Sequence, residues 1–433
     1  MTVDQLKAAV CRAIDDHAQK IIDLGESIFR EPELGYKEFK TAAKVKAAFE
    51  ELDMPYIDGI ACTGVVANLP GRERKLKVAV MGELDAVVCP EHPHADPQTG
   101  AAHSCGHFAQ IASMIGAAYG LKASGVMEEL AGDVAFMAVP AEEAVELEWR
   151  NEQILQGRIS YIGGKQEFVK LGALDDVDMM VMQHTDNGTR INAGGPSAMG
   201  FLAKIIQYIG KESHAASPHL GINALDAARI GLTACDALRT TFRDEDGIRF
   251  HPIITKGGNL VNVVPAFVQL ETFVRGRSAE AVADASAKID RALKAGADAL
   301  GAECRIYNLP GYLFPVESRE LKSIVEGNIV ELVGQEGLGY SPYQVTTDAN
   351  DISNLMPSVH AMVGGADGTA HSSHYRVADP ELAYIKAAKL LAMTVVDLLA
   401  DGARKGLEVK HAFRAPLTKE SYLALLDQQG GRK

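Results

Sequence analysis

Cysteine, histidine and paired glutamates are the side chains that hold transition metals and move protons, and this sequence carries them in short, well-separated clusters. Cys105 and His107 stand two positions apart in SCGHFAQ, Glu142 and Glu143 are adjacent in VPAEE, His184 ends MMVMQH, and His371 and His374 share the loop ADGTAHSSH. Asp85 closes the run VAVMGELD. Each cluster alone has a plain reading: a buried thiol in a loop, a charged helix start, a hydrogen-bonded histidine at a strand end. The conjunction carries the inference. Thiolate, imidazole and carboxylate together suit zinc or manganese better than magnesium or calcium, which prefer oxygen. A closed structural zinc site would show Cys-x-x-Cys spacing, and the sequence has none, so the pattern points to an open, catalytic site. With Glu143 on a metal, Glu142 is left to take a proton from water and pass it to a leaving nitrogen. That division of labour predicts a hydrolase.

Something must bring these clusters together. VVANLP, LKVAVMGELD, GDVAFMAVP, VDMMVMQH and PSVHAMVGG read as strands, and they alternate with helical stretches such as EFKTAAKVKAAFEEL and SCGHFAQIASMIGAAYGLKA. Short apolar runs between helices mark a largely parallel sheet covered on both faces, an α/β fold. Ligands bind outside the carboxyl ends of such strands. Asp85, Glu142, Glu143, His184 and His371 each follow a strand, so one rim would receive them all. Near Gly195 the pattern changes to β-α-β-β-α-β, a two-layer α+β (ferredoxin-like) unit with one sheet face free of helices. This predicts a catalytic domain made of residues 1–195 and 310–433, with residues 196–309 inserted.

At 433 residues and 47% hydrophobic, the chain has apolar material for two or three compact units. Its 43 Lys and Arg against 57 Asp and Glu give a net charge of −14, which argues against a nucleic-acid or anionic membrane partner. The N-terminal stretch is amphipathic at helical spacing, and the most apolar late run, LLAMTVVDLLA, is broken by Asp397, so no membrane span is expected. Six cysteines without framework spacing suit a reducing, cytoplasmic setting.

In order along the chain, REPELGYKEFKTA, GELDAVV, HSCGH, VPAEE, GKESHAASPHLGINALDAA, GGNLVNVVPAFVQLETFVRG, TTDANDIS and TAHSSHYRVADPE resemble the aminoacylase/carboxypeptidase-type metallohydrolases. The likeness is to their amidohydrolase branch, which includes aminobenzoyl-glutamate and hippurate hydrolases. The resemblance implies a zinc-exopeptidase-like fold and a divalent metal, one ion or two, on Cys105, His107, Glu143, His184 and His371. It implies Glu142 as general acid/base and Asp85 as the acid that orients the ligand histidine. It also implies a homodimer through the inserted domain, with His214 and Asn262 reaching the neighbouring subunit's site and Arg275 holding a substrate carboxylate. Where the branch often reads Cys-Gly-His-Asp-Ala-His, this chain has Phe108 and Gln110. The function so implied is hydrolysis of a C–N bond in a small carboxylate-bearing molecule, an N-acyl or N-aroyl amino acid amide first. Hydrolytic deamination of an aminobenzoate such as a nitroanthranilate is the alternative; Phe108 could meet such a ring, but packing within a helix is the reading favoured for it. An inactive binding protein would be expected to have lost a ligand or the base; a cysteine hydrolase would work through Cys105 and His107 with no metal.

Overall fold

The structure, a computed structural model, describes residues 1–194, 199–340 and 346–432. The expected domain division after residue 195 therefore lies outside the described residues. Two sheets organise the chain. The larger is mixed and mostly parallel at its centre: the strands Gly132–Val139, Leu76–Glu83, Met179–Asn187 and Ser358–Asp367 lie side by side in that order, all parallel. Tyr56–Ile60 and Gly64–Leu69 extend one edge antiparallel. Leu76–Glu83 is buried at every position, as a strand covered on both faces must be.

Register then sets the rim. Glu83 pairs with Val139, Met81 with Met182, and Met362 with His184, so these strands run out on the same side. Asp85, Glu142 and Glu143 follow those strands within a few residues.

One face of the sheet packs on the helices Val3–Asp16, His107–Ala123 and Ala387–Ala412. The other face packs on Gly164–Lys170, Ala349–Ser353 and Lys419–Gln429 through Phe168, Ile352, Tyr422 and Leu426. The amphipathic N-terminal stretch is two helices rather than one. It breaks at His17, whose Nδ1 lies 2.8 Å from the Ala13 carbonyl and whose ring stacks on Tyr119. Among the described residues no helix is long and apolar enough to cross a membrane.

The second sheet contains Gly200–Ile209, Arg249–Phe250, Ile253–Lys256, Phe267–Gly276 and Glu303–Pro310, with the helices Ala224–Leu238 and Ala279–Leu300 on one face. Its other face is not bare near the junction. Phe201, Ala203, Ile205 and Leu309 pack there on Leu147 and Ile162, which belong to the larger unit. Gly431 and Arg432 add two residues of strand against Asn308 and Tyr307.

Candidate metal centre and active site

Gly106 begins the site. Its φ of +107° favours glycine, and a Cβ there would stand 2.4 Å from the Tyr375 hydroxyl oxygen. This turn lets His107 open the helix His107–Ala123 with its ring on the rim. The ring's Nδ1 lies 2.9 Å from the Asp85 carbonyl and 3.1 Å from Asp85 Oδ1. Both are acceptors, so Nδ1 carries the hydrogen and Nε2 presents its lone pair. The second oxygen of the same carboxylate accepts from the Glu143 backbone N–H at 2.8 Å. One carboxylate thus fixes two of the expected ligands, which is the orienting task that metal sites require.

The other candidates gather around His107. Cys105 Sγ is 3.4 Å from His184 Nε2, while His184 Nδ1 faces the Thr185 carbonyl at 2.8 Å, so this ring too turns Nε2 inward. His371 Nε2 is 2.9 Å from Glu143 Oε1. His371 takes a φ of +62°, and its backbone N–H donates to the Ser104 carbonyl, drawing the late loop onto the cysteine turn. His374, by contrast, lines a separate surface cavity with His92 and His94.

Ligand-type atoms fall into sets within 4.8 Å of one another: Cys105, His107 and His184; Cys105, Glu143 and His371; and Glu83, His107 and Glu142. Cys105 is common to the first two. His107 Nε2 and Glu143 Oε1 are buried without a hydrogen-bond partner. Buried atoms without a hydrogen-bond partner, in a set of sulfur, nitrogen and oxygen donors, fit a divalent cation.

The electrostatics agree with that donor set. Burial and Glu143 push the Cys105 thiol up, but His107 and His184 outweigh them and bring it down to about 6, towards thiolate. Burial pushes the Glu143 carboxyl up, and the His371 contact overrides it, leaving it at about 2. Contacts with Cys105 and Glu143 hold His371 up at about 11. Glu142 goes the other way: burial, then the charges of Glu83 and Glu143, raise it well above the usual carboxylate range. Two adjacent carboxyls therefore differ in their hold on a proton.

Arg275 reaches this rim from the inserted sheet. Its guanidinium lies over Phe201 and Phe273 at 5.2 and 5.0 Å, donates to Thr346 Oγ1 at 3.2 Å and feels the charges of Glu142 and Glu143. His214 and Asn262 are not brought to the site within the chain. Both are exposed, and their loops pair through Ala215 N–H to the Asn262 carbonyl, beyond the Phe267 end of the strand Phe267–Gly276. That end lies about 26 Å along the strand from Arg275 at the usual rise per residue. His214 Nδ1 accepts from Ala216 N–H at 3.0 Å, so its Nε2 carries the hydrogen.

Phe108 and Gln110 have structural explanations. Phe108 packs in the core against Phe29, His103 and Tyr384, which removes the hint of an aryl substrate. Gln110 Nε2 donates to Glu83 Oε2 at 2.6 Å. The sequence places Glu83 with Asp85 after a strand but assigns it no role, and does not reveal the buried group that Glu83 joins behind the rim with Lys165, Asp348 and Tyr312. Lys165 Nζ donates to both Glu83 and Asp348, and the Tyr312 hydroxyl donates to the Glu142 carbonyl. Glu83 and Asp348 lie inside GELDAVV and TTDANDIS, but Lys165 in GGKQE carries no pattern that marks it.

The sequence pattern of peptidase family M20/M25/M40 matches residues 79–397. An Xaa-Arg dipeptidase from Mus musculus is 26% identical over 94% of this chain and 93% of its own length. An N-acetyl-L-cysteine deacetylase from Bacillus subtilis is 26% identical over 59% of each chain. Among solved structures, a dinuclear metal binding peptidase of the M20 family from Bacillus subtilis superposes with a TM-score of 0.64 at 22% identity, over 89% of this chain and 99% of its own. With that family pattern lying across most of the chain, over the rim that gathers Cys105, His107, Glu143, His184 and His371, the chain belongs to peptidase family M20/M25/M40 and is a hydrolase of C–N bonds.

Proposed function

We propose that this protein hydrolyses the amide of an N-acyl or N-aroyl amino acid, using a divalent transition metal, zinc or manganese. Cys105, His107 and His184 would hold one ion and Cys105, Glu143 and His371 a second. When bound, the metal supplies Lewis acidity to the carbonyl and acidifies the attacking water. The chain's own residues do the rest. Asp85 keeps His107 and Glu143 aimed inward. Glu142, raised in proton affinity by burial and its acidic neighbours, takes the water's proton and delivers it to the leaving nitrogen. Arg275, lying over Phe201 and Phe273, would pair with the substrate's carboxylate.

In this reading residues 196–309 form the dimerisation domain. His214 and Asn262, far along the inserted sheet from Arg275, would serve the site of a second copy, where the Nε2–H of His214 polarises the carbonyl. Six unpaired cysteines suit a reducing, cytoplasmic compartment.

The observation that carries this reading is the convergence of five ligand-type side chains beside one proton-holding glutamate. Glu142→Gln should keep its metal, measured by elemental analysis, and lose turnover by about two to four orders of magnitude. A near-normal rate would remove Glu142 from the mechanism. Metal-loaded protein should release free amino acid from N-acyl and N-aroyl amino acids; ammonia from an aminobenzoate instead would move the substrate to an aryl amine.

A further inference from the structure

Behind the rim, Glu83 is held on both of its carboxylate oxygens. It is the last residue of Leu76–Glu83 and is 1% exposed. Gly82 allows the approach that holds it: a Cβ there would come within 3.2 Å of the Gln110 backbone. At that distance Gln110 Nε2 donates to Glu83 Oε2 at 2.6 Å, and Glu83 N–H donates to Gln110 Oε1 at 3.3 Å. Lys165 Nζ donates to the other oxygen, Oε1, and to Asp348 Oδ1, while the Lys165 backbone N–H donates to Asp348 Oδ2 at 2.9 Å. Lys165 and Asp348 are fully buried. The carboxylate therefore has one charge partner, one amide clamp and no freedom to turn.

So fixed, Glu83 Oε2 lies 3.2 Å from His107 Nε2, with Glu142 Oε2 3.8 Å from the same nitrogen. His107 has already committed its Nδ1 hydrogen to Asp85. Its Nε2 makes no hydrogen bond to either carboxylate, because neither lies where a hydrogen on that nitrogen would point. With its lone pair free, this nitrogen and the anionic oxygen stand at the separation that a shared cation would bridge. Two donor atoms on one ion, with ordinary bonds of about 2.1 Å, stand about 3 to 3.5 Å apart.

We infer that Glu83 is a further metal ligand, binding beside His107 the ion that this histidine holds, and that Lys165 and Gln110 are its positioning residues. This rests on the metal-dependent reading above and makes the two subsites unequal. The Glu83 subsite is walled by fully buried side chains, Glu83 and His107, and holds its ion tightly. The subsite of Cys105, Glu143 and His371 opens to solvent at His371, whose side chain is 50% exposed. A closed set retains its ion and an open one admits water and substrate.

The test is zinc titration of chelator-stripped full-length protein, with the absorption of the first equivalent of cobalt(II) reporting coordination. Wild type should show one tight and one weaker site. Glu83→Gln should weaken the tight site by at least about 100-fold, more than the loss of an orienting partner costs. It should leave the weaker site unchanged and alter the cobalt band. Glu83→Asp, which keeps the charge and withdraws the oxygen by one methylene, should do the same, and near-UV circular dichroism shows that each variant is folded. If a folded variant binds the first ion as wild type does, or binds it more weakly with an unchanged cobalt band, Glu83 is not a ligand. Wild-type protein that takes up no metal at all would instead defeat the metal-dependent reading itself.

Discussion

His107 stands between two carboxylates with different tasks. Asp85 fixes which nitrogen bears the hydrogen, and Glu83 faces the nitrogen left free. Behind Asp85 lies a third acid. Glu38 is fully buried, its Oε1 accepts from Ala141 N–H at 2.8 Å and its Oε2 from the Thr63 hydroxyl at 2.5 Å. It thereby holds the turn that presents Glu142. Burial, then the charge of Asp85, pushes the Glu38 carboxyl up from 4.5 to about 8. A carboxyl raised on folding binds its proton better in the native state. Its contribution is therefore complete below about pH 4.5 and is lost as pH rises through about 8. Glu38→Gln keeps the acceptor for Ala141 and cannot ionise. Its unfolding midpoint should fall less than that of wild type across this window, and parallel midpoint curves would show that Glu38 contributes nothing to the pH dependence.

Among the elements, those that place the site on the rim were the most readable. Leu76–Glu83 and Gly132–Val139 are buried on both faces, so after Lys77 and Asp133 their sequences run apolar to ends that are plain to see. The polar residues after those ends were visible for the same reason. Lys165 and Asp348 were not, because a buried ion pair is made by two segments 183 residues apart and leaves no period in either. The break at His17 escaped detection because the apolar spacing runs through it unchanged. Phe108 was readable as helix packing: the residue next to a rim histidine on a helix points elsewhere, here towards Phe29 and Tyr384. The cysteine turn itself is testable. Gly106→Ala adds a Cβ at φ +107° against the Tyr375 hydroxyl and should cost about 1 to 3 kcal/mol of stability. It should also weaken zinc binding in the same titration; unchanged melting and unchanged affinity together would mean the turn can relax without disturbing Cys105 and His107.

For the whole molecule, the question is what the inserted unit meets. Ile253, Ile254, Leu260 and Val261 are all exposed, on the Ile253–Lys256 strand and the loop that carries Asn262. An apolar cluster of this kind beside His214 is what a second copy would cover. Val261→Asp should therefore yield monomers by light scattering and lower turnover without emptying the metal site. A monomer with full activity would show that each chain completes its own site.

The last helix brings a different constraint. Lys419–Gln429 is held in the larger unit by Tyr422 and Leu426, and two residues later Gly431 and Arg432 hydrogen-bond along the inserted sheet at Asn308 and Tyr307. The inserted unit is thus contiguous in sequence without being separable. An excised fragment would leave behind the two residues that cover that stretch of its own edge strand, exposing backbone N–H and C=O groups that template aggregation.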